Sequence, residues 1–474
     1  MRATGVGRAE QGSDVTDTSV DTTGLRRTLG FTDLVMLTVG TVIGSGIFLV
    51  PSVVLRNTGG QTGPAMLVWV VAGVLSLLGA LTYAELGAMR PHAGGLYVYI
   101  RDAFGPLPAF LYGWTSFFVI ASGSVATLAV AFSGYFSQIV PMSAVGSKVL
   151  AIAVIIVTAV INVLGTRKSA TVQNLTTGLK VAALLVLSLG LLLFADHAGS
   201  NVDIWPSGIS GSLAAGFGTA MIGVLWAYEG WQYVTFSAGE TVDPQRTFPR
   251  AITVAAIVLI VVYLLANFAY IAALGPTAAA SSERIAADAV GVLLGPVAAK
   301  VVAALILVSI FSATNGLMLA APRMYFAMAR DGVFFRSLAK VNPRFGTPAL
   351  AIGASAVWAA VLAATGTFVQ LLTYVVFAGW IFYGLGAVSV FVFRRREPLA
   401  HRPFRVPGYP VTPVLFVASA ALLVVNTLVT QPTRAAVGLA AVFVGTPAFY
   451  LWRASSRRNQ LPNRSTEVRD ATVV

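Results

Sequence analysis

A serine between two glycines, a carboxylate followed by a glycine and a single lysine are the chemically capable groups inside the apolar stretches of this chain. The first lies in Leu37–Phe48, read LTVGTVIGSGIF, where Gly44 and Gly46 flank Ser45. The second lies in Gly223–Gln232, read GVLWAYEGWQ, with Glu229 and Gly230 at its centre. The third is Lys180, in TTGLKV. Glycine costs a helix about 1 kcal/mol relative to alanine, so both glycine sites predict local unwinding. Irregular backbone inside a bilayer survives only where it lines a protein cavity. There, the N–H groups that open a half-helix favour an anion, and freed carbonyls favour a cation. Val42, Ile43, Gly44, Ser45, Gly46 and Ile47, facing Trp226, Ala227, Tyr228, Glu229 and Gly230, therefore read as a site for a small zwitterion such as an α-amino acid. A lone Gly-x-Gly in a membrane helix also permits close helix packing. A second interruption at a matching place favours two breaks and a transporter built from inverted repeats.

The elements that must position these groups are legible in the composition. The 474 residues are 57% hydrophobic and 10% charged, against roughly 25% charged in soluble domains, so lipid is the expected solvent. Twelve apolar segments follow one another at about 31–55, 64–88, 104–138, 148–165, 171–194, 210–236, 251–274, 291–328, 348–364, 367–393, 411–429 and 435–453; a span needs roughly 20 residues, and the long third and eighth should be tilted or extend beyond the bilayer. With the N-terminus in the cytoplasm, 25 of the 31 Lys and Arg residues fall in cytoplasmic segments, five fall outside and Lys180 lies within a span. That bias follows the positive-inside rule and predicts both termini in the cytoplasm of a plasma-membrane protein. The expected organisation is a polar, disordered tail over 1–28, a five-helix repeat over 29–196, a second over 209–393, two further helices over 394–454 and a cytoplasmic tail over 455–474. The tail has no apolar run, so it is not a signal peptide.

Several function classes are disfavoured. There is no cysteine, hence no thiolate metal site, no cysteine nucleophile and no disulfide-linked partner. His92, His197 and His401 lack metal-ligand spacing, and no nucleophile–base pair suggests an enzyme. No metal or other cofactor is implied. The net charge of +13 sits in short segments between apolar spans, which fits membrane topology and lipid contact rather than nucleic acid. A channel would not need paired breaks.

At the broken segments the chain resembles the amino acid–polyamine–organocation superfamily, and within it the bacterial members of the L-type amino acid transporter family. The residues that carry this are TVIGSGIF at Thr41–Phe48, PHAGGLYVY at Pro91–Tyr99 and WAYEGW at Trp226–Trp231. Gly239-Glu240, Asp243-Pro244, Asn315-Gly316, Arg323 and Arg330-Asp331-Gly332 add to it. The resemblance spans about 31–454. It implies an all-α membrane fold of twelve helices, five plus five in inverted repeat with helices one and six discontinuous, and two extra. It also implies roles. The Ser45 and Gly46 N–H groups would bind the substrate carboxylate, the carbonyls of Val42, Trp226 and Glu229 its ammonium, and Trp226 would close over it. Lys180 would point at helices one and eight, where sodium-coupled relatives bind their ion, and replace that ion.

Lys180 lies roughly 15 Å along its helix from Ser169, deep for a snorkelling lysine. Sodium-independent transport is the expectation, with proton coupling left open. Glu229 either braces the unwound segment or meets substrate, water or a proton. Glu85 is expected to pair with Arg90, Arg323 to face the cytoplasmic vestibule, and Arg394-Arg395-Arg396 to anchor on anionic lipid. Trp114, Trp380 and Trp452 read as packing or interfacial residues. Side-chain specificity is assigned to Ser122, Gly123, Asn315 and Trp380. The expected activity is secondary active transport of neutral L-amino acids by a permease or exchanger. The alternatives are a cationic amino acid or polyamine exchanger, a proton-coupled symporter of the same fold, and a nucleobase or organic-cation symporter.

Overall fold

In lipid an apolar stretch satisfies its backbone as helix, and helix dominates the computed structural model. The described residues are 25–194, 205, 211–366 and 368–458, and they include an isolated β-bridge between Leu29 and Thr241. The first helices are α1 (Phe31–Val42), α2 (Gly46–Asn57), α3 (Thr62–Met89), α4 (Leu96–Phe104), α5 (Pro106–Thr115), α6 (Ala121–Phe136), α7 (Ala144–Val163) and α8 (Thr166–Phe194). Next come α9 (Gly211–Ala227), α10 (Pro244–Leu274), the short α11 (Pro276–Ser281), α12 (Ile285–Leu294), α13 (Ala298–Ala320) and α14 (Pro322–Arg330). The chain continues through α15 (Ala349–Thr365), α16 (Phe368–Arg396), α17 (Val411–Thr430) and α18 (Pro432–Arg458).

Ten helical stretches among the described residues are long and apolar enough to cross a bilayer, or eleven when the bent pair α1–α2 counts as one. The predicted segment 348–364 is α15, apolar but only 17 residues long. The long segment 104–138 is α5 and α6 joined by one π-helical turn, Ser116–Ile120. The long segment 291–328 resolves into the end of α12, a 3-10 turn at Gly295–Val297, α13 and α14.

The packing is reciprocal. α3 lies along α10, and α6 along α13. α1 packs on α10 while α9 packs on α3, and α6 packs on α15 while α7 packs on α13. Exchanging the first five spans for the second five reproduces these pairs, as a five-plus-five repeat requires. The expected repeat boundary, 196–209, lies outside the described residues apart from Trp205.

Two tail expectations change. Residues 1–24 lie outside the described residues, but Leu25 is buried against Ala93 and Phe326, so this end of the segment is packed rather than free. At the other end α18 runs on to Arg458, past the expected limit of 454; residues 459–474 lie outside the described residues.

Candidate functional site

The first break is short. α1 ends at Val42, Ile43 leaves helical geometry with φ −72° and ψ 89°, and the Gly44 N–H turns back to the Val42 carbonyl at 2.8 Å. α2 starts at Gly46, bent 48° from α1. The second break begins where α9 stops at Ala227. Tyr228–Gly230 form a turn, Gly230 takes φ 128°, and a 3-10 segment runs from Trp231 to Glu240. The two breaks touch: the Thr41 hydroxyl donates to the Gly230 carbonyl at 3.2 Å. The Tyr263 hydroxyl lies 3.2 Å from the Val42 carbonyl and 3.0 Å from that of Ala227.

Between the breaks lies a cavity. Of the predicted site residues, Val42, Gly44, Ser45, Gly46, Trp226, Ala227, Glu229 and Gly230 line it. Ile43 and Ile47 do not; their side chains are in the core. Tyr228 is also outside the lining, packed edge-on against Trp69 and tilted against Tyr263. The lining is completed by residues that sequence reasoning missed: Thr41, Tyr233, Ser124, Thr127, Leu128, Leu317 and Val375.

The polar chemistry matches the two poles of a zwitterion. The first N–H groups of α2 have no partner within their helix, and they open at Gly46 on the cavity wall with the positive end of the helix dipole. The Trp226 carbonyl accepts one bond, from the Glu229 N–H at 3.0 Å, leaving a lone pair. The Val42 carbonyl is more occupied, by the Gly44 N–H and by Tyr263, so the ammonium contact expected of it must compete with that hydroxyl. Glu229 accepts from the Tyr383 hydroxyl at 2.9 Å through Oε1. Its Oε2 is buried without a hydrogen-bond partner, as is the Ser45 hydroxyl.

Lys180 is fully buried. Its Nζ donates to the Gly40 carbonyl at 2.7 Å, to that of Ile43 at 2.6 Å and, more weakly, to that of Ser309 at 3.4 Å. The ammonium thus joins the frayed end of α1 to α13, and its three donors are all used. The Ser309 hydroxyl donates to the same frayed end, 2.8 Å from the Ile43 carbonyl.

The four specificity candidates lie outside the cavity lining. Ser122 is buried on another face of α6. Gly123 borders a separate apolar pocket with Phe118, Tyr374 and Gly438. Asn315 is held in an amide network: its Nδ2 donates to the Gln173 Oε1 at 3.0 Å, and its Oδ1 accepts from the Asn162 Nδ2 at 3.0 Å. Trp380 packs against Tyr383 and Phe416.

Three charge assignments are corrected. Glu85 pairs with Arg394 at 2.7 Å rather than with Arg90, because the loop after α16 folds back and the Val406 N–H also binds Glu85. Arg90 instead meets Glu397 at 2.6 Å. Arg323 does not face a vestibule: it is buried against Glu240 at 2.5 Å. Arg394 is drawn to Glu85 and the Tyr409 ring, and Arg396 to the Ala103 carbonyl, so these two are structural rather than free for lipid. Trp114 and Trp452 pack in aromatic clusters with Phe118 and Phe334. Among the described residues no cluster of His, Asp and Glu could hold a metal.

A multi-pass helical bundle with a central cavity between two opposed helix breaks defines a membrane transporter. The model of the family described as "Amino acid permease" matches residues 29–449, and the chain belongs to that family. It is 33% identical to the b(0,+)-type amino acid transporter 1 of Mus musculus over 432 residues, covering 90% of this chain and 87% of the relative. It is 30% identical to the serine/threonine exchanger SteT of Bacillus subtilis (strain 168), over 90% of this chain and 97% of the relative. The human cystine/glutamate transporter is 32% identical over 88% of this chain and 83% of its own length. Family and relatives alike are transporters rather than enzymes.

Proposed function

We propose that this chain is a secondary active transporter of neutral L-amino acids that works by alternating access and without sodium. One observation carries the reading: the start of α2 and the Trp226 carbonyl offer backbone groups of opposite sign to one cavity, while the Lys180 ammonium already fills the carbonyl cluster at the end of α1. The α-carboxylate would sit at the start of α2 near Ser45 and Gly46, the ammonium at the Trp226 and Glu229 carbonyls, and the Trp226 indole would cover the substrate. Amino acid transporters among the relatives support the substrate class, and the serine/threonine exchanger among them supports coupled exchange. α15 would supply the twelfth span. The bias of basic residues supports both termini in the cytoplasm of a plasma-membrane protein. The chain has no cysteine, so it would act without a disulfide-linked partner.

The unpartnered Glu229 oxygen favours a second reading of the side-chain pocket, in which a hydroxyl or a cationic group on the substrate donates to it. Uptake of labelled alanine into proteoliposomes, with unlabelled serine, leucine and arginine as competitors, separates the two. Replacing sodium by choline should leave uptake unchanged; loss of uptake would refute the sodium-independent mechanism. Efflux of preloaded label that depends on external substrate would establish exchange.

A further inference from the structure

Glu240 closes the 3-10 segment that follows the second break, and three other pieces of chain meet on it. Its backbone carbonyl accepts from the N–H groups of Thr28 and Leu29, both at 2.9 Å, just before α1 begins. The Val242 N–H returns the contact to the Leu29 carbonyl at 2.9 Å, and Leu29 bridges Thr241. Its carboxylate grips the Arg323 guanidinium with both oxygens, at 2.5 and 3.2 Å. Oε1 also accepts from the Thr166 hydroxyl at 2.6 Å, at the first residue of α8. Arg323 completes the ring by donating to the Thr166 oxygen at 2.9 Å and to the Leu319 carbonyl. Glu240 and Arg323 are 1% and 0% exposed. One residue therefore binds the approach to the first broken helix and the exit of the second to α8 and to the α13–α14 junction.

The placement has a functional consequence. Leu317 lines the cavity, and Arg323 lies six residues further on, about 9 Å along the helical path. The cluster is at the end of the bundle where the basic residues concentrate, between the cavity and the cytoplasm. A buried ion pair is weak evidence for stability, but it can distinguish two discrete arrangements of the parts it joins. With the pair intact, the approach to α1 is held against α8 and the α13–α14 junction.

We propose that Glu240, clasped by Arg323 and Thr166, is the latch that holds the cytoplasmic side shut and must open once in each transport cycle. The proposal rests on the transporter reading above. The lining residues bind substrate, whereas Glu240 positions the two breaks against the scaffold.

The absence of cysteine allows a direct test. Leu29→Cys with Thr241→Cys places two thiols at the bridged positions, outside the ion pair, where neighbouring strands bring Cα atoms within disulfide reach. In proteoliposomes the reduced double variant should take up labelled amino acid. Oxidation should reduce uptake at least tenfold, and dithiothreitol should restore it. Full cross-linking with uptake unchanged would overturn the latch. A reduced variant that folds and inserts, yet transports no amino acid when the parent chain is equally silent, would instead count against the transporter reading. A second arm reads the same latch without a cross-link. Ala320→Cys, buried at the end of α13, should react slowly with a membrane-impermeant maleimide applied from the cytoplasmic side, and adding Glu240→Gln should raise that rate at least threefold. An unchanged rate in a monodisperse variant would overturn the proposal. If Glu240→Gln does not fold, Arg323→Lys is expected to give the same acceleration in its place.

Discussion

Lys180 and Glu229 are the two ionisable side chains closest to the breaks, and they work differently. Lys180 satisfies carbonyls that helix α1 leaves open, so Lys180→Met removes two short charge-assisted bonds, taking the lysine from the Gly40 carbonyl and leaving that of Ile43 to the Ser309 hydroxyl alone. Such bonds contribute about 1.5–3 kcal/mol each. The expected result is a lowered melting temperature and at least tenfold slower uptake, read by fluorescence-detected thermal unfolding and flux. Glu229 has one oxygen to spare, so Glu229→Gln tests what reaches it. If a donor on the substrate does, serine should compete roughly tenfold less well, about 1.4 kcal/mol, with leucine unaffected; equal loss for both would mean the carboxylate only braces the turn. Both residues stood out in the sequence, since a charge in an apolar run is expensive enough to need a reason. The cavity's other walls did not. Ser122 was chosen where Ser124 lines the site, because two residues along a helix turn a side chain by about 200°. The π-helical turn Ser116–Ile120, just upstream, shifts that register further and has no marker in residue type. Arg323 misled for a different reason: its partner Glu240 is 83 residues away, a pairing only the folded chain brings together.

At the level of elements, the breaks depend on two glycines. Gly230 has φ 128°, and a β-carbon there would also lie 3.0 Å from the Thr41 carbonyl oxygen. Gly230→Ala should therefore strain the turn by about 1–3 kcal/mol and cut uptake roughly tenfold or more, while the protein still inserts and elutes as a single species. Gly46 permits a close approach: a β-carbon there would meet the Ala227 Cβ at 3.0 Å and its Cα at 3.1 Å. Gly46→Ala should push the two breaks apart and weaken substrate binding, seen as a raised KM with a smaller change in maximal rate. The breaks were readable because few residue patterns tolerate unwinding in lipid. The 3-10 course of Trp231–Glu240 was not, since nothing in WQYVTFSAGE distinguishes it from helix. That is why Tyr233 joined the cavity unannounced.

At the scale of the whole molecule, the spans were legible in hydropathy and their number nearly so; the short α15 is the one that length alone would omit. Less legible was the basic end, where Arg394, expected to meet lipid, is taken up by Glu85, Arg323, expected at the vestibule, by Glu240, and Arg90, expected to pair with Glu85, by Glu397. Arg394→Gln should leave the buried Glu85 only the Val406 N–H and the longer Arg402 contact at 3.5 Å, lowering the melting temperature by several degrees in detergent, a loss that Glu85→Gln in the same chain partly reverses. Lys180 carries the last consequence. A cation that is part of the polypeptide cannot leave with the substrate. When the cavity passes from one side to the other, the ammonium stays with its helix and the cargo has no net charge. Under the proposed mechanism the cycle therefore moves little charge across the bilayer, and a potential imposed with potassium and valinomycin should neither drive nor retard uptake of a neutral substrate. Accumulation would then be set by the amino acids on the two sides, not by the voltage between them.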